Sequence, residues 1–266
     1  MKGYKSFGKG LICHGKRYAE NTVFEEDEAV LYVKGMHFCA EPMDVLDFYP
    51  PESEFAEVEA LDEAKTNGKH QYVSGKLKIG AKISLKELIN AQADIDFAKG
   101  SGNYAQGDMG CAVAQSNCGH AIVQGDGGCA VAQSHCGHAV VQGFDGHAVA
   151  QGFDGHAVVQ GDEGCAVAQS NCGHAVVQGD MGCAVAQGRG GCAAVSGKDA
   201  IAAAFGISGR AKAPLGSWIT LAEWEREYAD YSWHIVTVKT AQIDGEKLKA
   251  DTWYMLQDGE FVETED

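Results

Sequence analysis

The chain has 266 residues, 45% hydrophobic and 22% charged, with a formal net charge of −16. That length accommodates one large domain or two to three small ones, and the composition is that of a chain able to bury a core. The charge is −5 over residues 1–97, −5 over 98–196 and −6 over 197–266. No stretch is basic enough for a nucleic-acid phosphate footprint, and attraction to anionic membranes is disfavoured.

The opening "MKGYKSFGKG" lacks the apolar segment of a secretory leader, and no run approaches eighteen apolar residues. A cytoplasmic protein with its ten cysteines reduced is therefore expected.

Residues 1–97 are expected to form a small α+β unit. "GYKSFGKGLICHGKRY" and "AVLYVKGMHFCAEPMDVLDFY" read as strand-like pieces followed by a short helix. "EFAEVEAL" and "QYVSGKLKIGAKISL" read as further strands. "SLKELINAQADIDFA" opens with Ser84 and Glu87 at capping-box spacing and reads as a helix. Tyr4, Phe7, Tyr18, Phe38 and Phe48 are the expected core. Cys13, His14, His37, Cys39, Asp44 and Asp47 are chemically capable. No motif pairs a nucleophile with a base, so no catalytic residue is assigned and the protein is expected not to be an enzyme.

From Gly107 to Ser196 the chain is ten uninterrupted blocks of nine. The skeleton is G-x-x-G, then Cys or His, Ala, Val, Ala or Val, and Gln, with weaker copies on either side. A fixed short period marks a stacked array. Each block reads as a glycine-bounded turn and a five-residue strand whose side chains alternate between two faces.

The Ala-or-Val position alternates strictly, from Ala114 and Val123 to Ala186 and Val195. The structural period is therefore eighteen, with two strands per coil. Ala of one wall meets Val of the other across a thin interior. Cys/His, Val and Gln then point outward. The expected fold is a two-sided β-solenoid over residues 98–206. Its ten blocks make five coils, about 24 Å at the ~4.8 Å strand spacing.

Residues eighteen apart form files. His120, His138, His156 and His174 make one, ended by Cys192. Cys111, Cys129, His147, Cys165 and Cys183 make another on the opposite wall. Val113, Val131, Val149 and Val167 make a third, and Gln115, Gln133, Gln151 and Gln169 a possible amide ladder. One turn edge carries Asp108, Asp126, Asp145, Asp162, Glu163 and Asp180; the other carries Cys118, Cys136, Asp154 and Cys172.

Four readings of these files compete. An outward Val file on a rigid wall is apolar for a surface and points to a docking face. Stackable filler is the plainest alternative. Cys and His suit Zn or Cu(I), but a straight file is poor tetrahedral geometry, so no metal site or cofactor is assigned. Disulfides between coils, such as Cys111–Cys129 or Cys118–Cys136, fit the Cα spacing but not a reducing compartment. The acidic edge also suggests imitation of a phosphate row, a minority idea.

Residues 207–266 are expected to be a β cap. "IDGEK" and "LQDGEFVE" both carry Asp-Gly hairpin signals, and Trp218, Trp224, Trp233, Trp253 and Tyr254 would close the last coil.

The G-Y-K-x-F start, "GMHFCAEPMDVLDFY", "FAEVEAL", "KLKIGAKISL", the short Gly/Ala repeats and the "DTWYMLQDGEFVE" ending resemble an uncharacterised family of phage, prophage and gut-bacterial genomes. The resemblance spans nearly the whole chain and implies a phage context, a solenoid, and no agreed activity or catalytic residues. Relatives tend to carry Asn, Ser or Thr at the outward repeat positions, where this chain has Cys/His, Val and Gln.

Together these readings give a non-enzymatic solenoid that binds a host or phage protein, with inhibition of a host or defence factor as the concrete expectation. Neither nucleic acid nor membrane is an expected partner. The alternatives are a self-associating rod or virion component, and metal or redox binding through the Cys/His files. The location expected is the bacterial cytoplasm or a virion.

Overall fold

The computed structural model describes residues 1–66, 68, 70–99, 104–115, 119–133, 135–227 and 231–264. It divides into two compact units, Met1–Gly100 and Ser101–Asp266.

The N-terminal unit is built on a seven-stranded sheet. Its centre is the strand Lys2–Phe7, antiparallel to Glu54–Ala60 on one side and Met36–Cys39 on the other. Lys76–Ile83 and Thr22–Glu25 extend one flank, and Gln71–Ser74 and Lys65–Thr66 the other. Gly3 leaves room for its neighbour, since a Cβ there would overlap the Cys39 carbonyl and the Phe38 ring.

Phe7, Tyr18, Phe38, Met36, Leu77 and Ile79 lead the core. Two expected core residues fall outside it. Tyr4 is only half-buried, and Phe48, just after the 3₁₀ turn Met43–Asp47, is 47% exposed. "AVLYV" is a turn closed by a bridge between Val30 and Lys34 rather than a strand, and Val33 is exposed.

The helix Leu85–Lys99 follows the predicted capping box. The Glu87 N–H donates to Ser84 Oγ at 3.2 Å, and the Ser84 N–H donates back to Glu87 Oε2 at 2.7 Å. These bonds satisfy two end donors that the helix itself leaves open.

The second unit is a two-walled β-solenoid with an eighteen-residue register. In one wall Tyr104–Gln106, His120–Gln124, His138–Gln142, His156–Gln160, His174–Gln178, Cys192–Val195 and Arg210–Lys212 stack in parallel. In the other, Cys111–Ala114, Cys129–Ala132, His147–Ala150, Cys165–Ala168, Cys183–Ala186, Ile201–Ala204 and Trp218–Arg226 do the same. Pairs such as His138↔His156 and Cys165↔Cys183 confirm the period.

The alternating Ala and Val positions form a single dry core in which Ala114 through Val177 and Ala186 are fully buried. Small faces large across the interior, which keeps the width of each layer constant. The stacking runs past residue 206 to Leu221, because Ala202, Ala204, Ala211, Ile219 and Leu221 continue the inward pattern after the Gln and Cys have gone.

The turns explain the glycines. A Cβ on Gly161 would overlap the carbonyl of Gly143 one coil below, and a Cβ on Gly164 would overlap Val159 Cγ1. Turn residues such as Asp145, Glu163 and Cys172 hold φ between 52° and 59°. Their N–H groups donate to the next coil, as from Glu163 to the Asp180 carbonyl at 2.9 Å. The ladder therefore continues around the bends, which regular strands alone would not achieve.

At the C-terminal end, Trp218–Arg226 turns back along Trp233–Gln242 in a bulged antiparallel pair. "LQDGEFVE" forms the expected hairpin, Tyr254–Gln257 with Glu260–Glu263, around Asp258 and Gly259 at φ 52° and 73°. "IDGEK" does not. Asp244 Oδ1 instead accepts the N–H groups of Glu246, Lys247 and Leu248, folding the segment into a compact Asx-type turn.

Candidate functional site: the walls and edges of the solenoid

The sequence-predicted wall residues belong to two opposite sheets. Val113, Val131, Val149, Val167 and Gln115, Gln133, Gln151, Gln169 lie on the Cys-bearing wall, while His120, His138, His156 and His174 lie on the other.

The two walls differ in access. On the Cys-bearing wall Val113 is 42% exposed, and Val131, Val149 and Val167 are half-buried. Beside them an amide ladder climbs coil by coil. Gln115 Nε2 donates to Gln133 at 3.2 Å, Gln133 to Gln151 at 3.4 Å, Gln151 to Gln169 at 2.7 Å and Gln169 to Gln187 at 3.3 Å. Gln133, Gln151 and Gln169 each spend one donor and one acceptor inside the stack, and the Val file lies between this ladder and the Cys/His file. Higher on the same face Ile201, Phe205 and Trp218 are exposed, so the apolar character continues.

The expectation that the His wall is equally open does not hold. His120, His138 and His156 are 8%, 0% and 5% exposed, and Ile122, Val140 and Val158 beside them are fully buried. The rings of His120, His138 and His156 stack at 5.1 and 4.9 Å with 6° between planes, and His174 meets His156 edge-on. The His174 N–H donates to His156 Nδ1 at 3.2 Å. Burial, and next the charge of His120, holds the His138 imidazole well below its usual range, so it is neutral at physiological pH. His120, His138 and His156 are packing residues and do not present a contact surface, while His174 is half-buried. Among the described residues no group of three or more His, Cys, Asp or Glu is arranged to hold a metal ion.

The acidic edge separates into two files. Asp108, Asp126, Asp162 and Asp180 share one position, interrupted by Phe144; Asp145 and Glu163 occupy the next, left-handed position. The first file has a structural use. Asp126 Oδ1 accepts the Phe144 N–H at 2.9 Å, Asp162 Oδ1 that of Asp180 at 2.8 Å, and Asp180 Oδ1 that of Lys198 at 2.7 Å. Each carboxylate caps a turn donor one coil up. On the opposite edge Asn171 does the same for Arg189 at 3.1 Å, while Cys118 lies outside the described residues.

The described cysteines are free thiols, and two of the paired ones are electronically distinct. Cys165 is held down to about 6, first by the hydrogen bond that Cys183 donates to it and then by His147. Cys183 is pushed up by the same bond and by burial. His147 Nε2 lies 3.8 Å from Asp145.

In the N-terminal unit Cys13, His14, His37 and Cys39 line one cavity, whereas Asp44 and Asp47 do not. Asp44 is buried and meets His70 Nδ1 at 3.2 Å. His37 Nε2 accepts the Tyr32 N–H at 2.8 Å, so it is already engaged. Sequence reasoning missed Lys5 in this cavity, since nothing local marks a lysine in an alternating strand as buried.

Fold and surface together define a repeat protein of the β-solenoid class with one open, apolar, amide-flanked wall. A family model described as a domain of unknown function (DUF7666) matches residues 1–91, within the N-terminal unit. No curated protein and no solved structure matches the chain.

Proposed function

We propose that the protein is a non-enzymatic docking rod that binds another protein through the Cys-bearing wall. The observation that carries this reading is the partly exposed Val file beside a hydrogen-bonded Gln ladder. A monomer gains nothing by leaving a rigid apolar strip in water, and such strips serve as contact faces. The neighbouring edge bears Asp108, Asp126, Asp162 and Asp180, so the partner fits best with a basic rim around an apolar centre.

The family resemblance favours a phage gene product acting in a bacterial cytoplasm or on a virion, with a host or defence protein as partner and inhibition as the effect. A role as a DNA mimic is less favoured, because the carboxylates of the regular file cap turns and Phe144 breaks their row. Lateral self-association is the second reading, favoured by exposed Ile235, Val236 and Val238 on the edge strand Trp233–Gln242.

The test compares wild type with Val131→Lys/Val149→Lys/Val167→Lys in nuclease-treated bacterial lysate. These side chains point away from the core, so the fold should persist. A stoichiometric protein captured by wild type and lost with the triple variant is the expected result. Capture that ignores the substitutions would sink the docking reading. Concentration-dependent light scattering abolished by the same changes would replace it with self-association.

A further inference from the structure

The N-terminal unit carries a half-open cavity of about 640 Å³ that the docking reading leaves unused. Its deepest charged residue is Lys5, 6% exposed, on the central strand. Lys5 Nζ donates to the His37 carbonyl at 2.8 Å, lies 3.5 Å from Cys13 Sγ, and sits 5.3 and 5.6 Å from the ring centroids of Phe7 and Tyr18. No carboxylate among the described residues pairs with it. A buried ammonium without a counter-charge is costly, and burial accordingly holds the Lys5 amine below the usual lysine range. An anion in the cavity would supply what the fold withholds.

The rest of the lining agrees. Lys16, Lys34, His14 and His37 share the cavity with a single carboxylate, Glu26. This basic concentration stands within a chain of net charge −16. Lys34 meets Glu28 at 3.2 Å and Lys16 donates to Glu26 at 2.6 Å, so Lys5 is the lining cation with no carboxylate partner among the described residues, while the half-buried Lys16 ammonium keeps donors beyond the one on Glu26. Two aromatic side chains of the lining are largely exposed, Tyr32 at 61% and Phe48 at 47%. The Tyr32 ring stacks on His37 at 6.5 Å and 19°. Exposed rings at the mouth of a basic cavity offer flat faces to a planar ligand.

We propose that this cavity binds a nucleoside phosphate, with Lys5 and Lys16 meeting the phosphate and Tyr32 and Phe48 taking the base. It is a small-molecule site independent of the solenoid wall.

Calorimetric titration of the full-length protein tests it, with ADP, adenosine and inorganic phosphate as probes. ADP should bind at least about tenfold more tightly than either fragment, a difference of one order in Kd. Lys5→Met should weaken ADP by about tenfold or more, and Tyr32→Ala and Phe48→Ala should weaken ADP while leaving phosphate unchanged. Binding should also take up protons at alkaline pH, seen as heats that change with buffer ionisation enthalpy, because the phosphate favours charged Lys5. Where Lys5→Met lowers the melting temperature, Lys16→Gln on a partly exposed side chain carries the same test. No ADP heat at millimolar concentration overturns the proposal. So does ADP binding that survives Lys16→Gln and Tyr32→Ala, or phosphate binding as tight as ADP.

Discussion

Cys165 shows how one step of the repeat acquires its own chemistry. Its neighbours along the file are Cys183 above and His147 below, and no other cysteine is flanked in that order. The Cys183 hydrogen bond is the larger influence and the His147 imidazole the smaller, and together they bring the thiol to about 6. Above that pH Cys165 is a thiolate and nucleophilic; below it, reactivity falls. Iodoacetamide at pH 7 should therefore modify Cys165 before Cys129 and Cys183, whose thiols are pushed up. Mass-spectrometric rates against pH give the check. Cys183→Ala should move the midpoint up most, His147→Ala less. A Cys165 midpoint at or above the ordinary thiol value of about 8.5 would refute the assignment.

At the scale of the strand, the same nine-residue skeleton produced one open wall and one buried wall. The inward side of each strand was legible, because Ala114 to Val195 alternate in size and only a shared interior gives that a reason. What lies over the outward side was not, since periodicity reports direction and carries no word of coverage. So His138 reads as an outward residue of a docking wall in sequence and is fully buried in the fold. Two Asp-Gly signals likewise diverged: Asp258-Gly259 joins two strands in register, but Asp244 found three backbone donors nearby and closed a local turn instead. The buried histidine file has a thermodynamic signature. The folded-state value of His138 lies well below its unfolded value of about 6.5, so the unfolded chain binds the proton first. Stability should be unaffected by this group above about pH 6.5 and should fall as the pH drops below it. Melting temperatures from pH 7.5 to 5 should decline, and His138→Gln should shallow the decline. An equally steep profile in that variant would assign the loss to other groups.

For the whole molecule, the eighteen-residue period makes a definite demand on length. Removing residues 144–161 deletes one coil, brings Gly143 onto Asp162, and preserves the Ala-against-Val order. Removing 144–152 exchanges the walls beyond the cut, so Val159 follows Val141 at the junction and the His and Cys files change walls for the rest of the stack. The first variant should stay soluble with a cooperative melt. The second should lose about 1–3 kcal/mol from the overpacked Val141–Val159 junction, and more where the exchanged walls no longer match the C-terminal strands. Comparable melting temperatures for the two would show that the Ala/Val alternation is incidental. The N-terminal cavity was the least legible part, because Lys5, Cys13, Tyr32 and Phe48 are assembled by pairings between distant strands and loops. The exact register of the coils has a genetic consequence. A near-identical unit of eighteen codons is a ready substrate for replication slippage, and each slip keeps the reading frame and adds or removes one complete layer. Natural variants should differ in rod length by whole coils, so the reach of the rod can change in a single mutational event while the sequence of every remaining layer stays as it was.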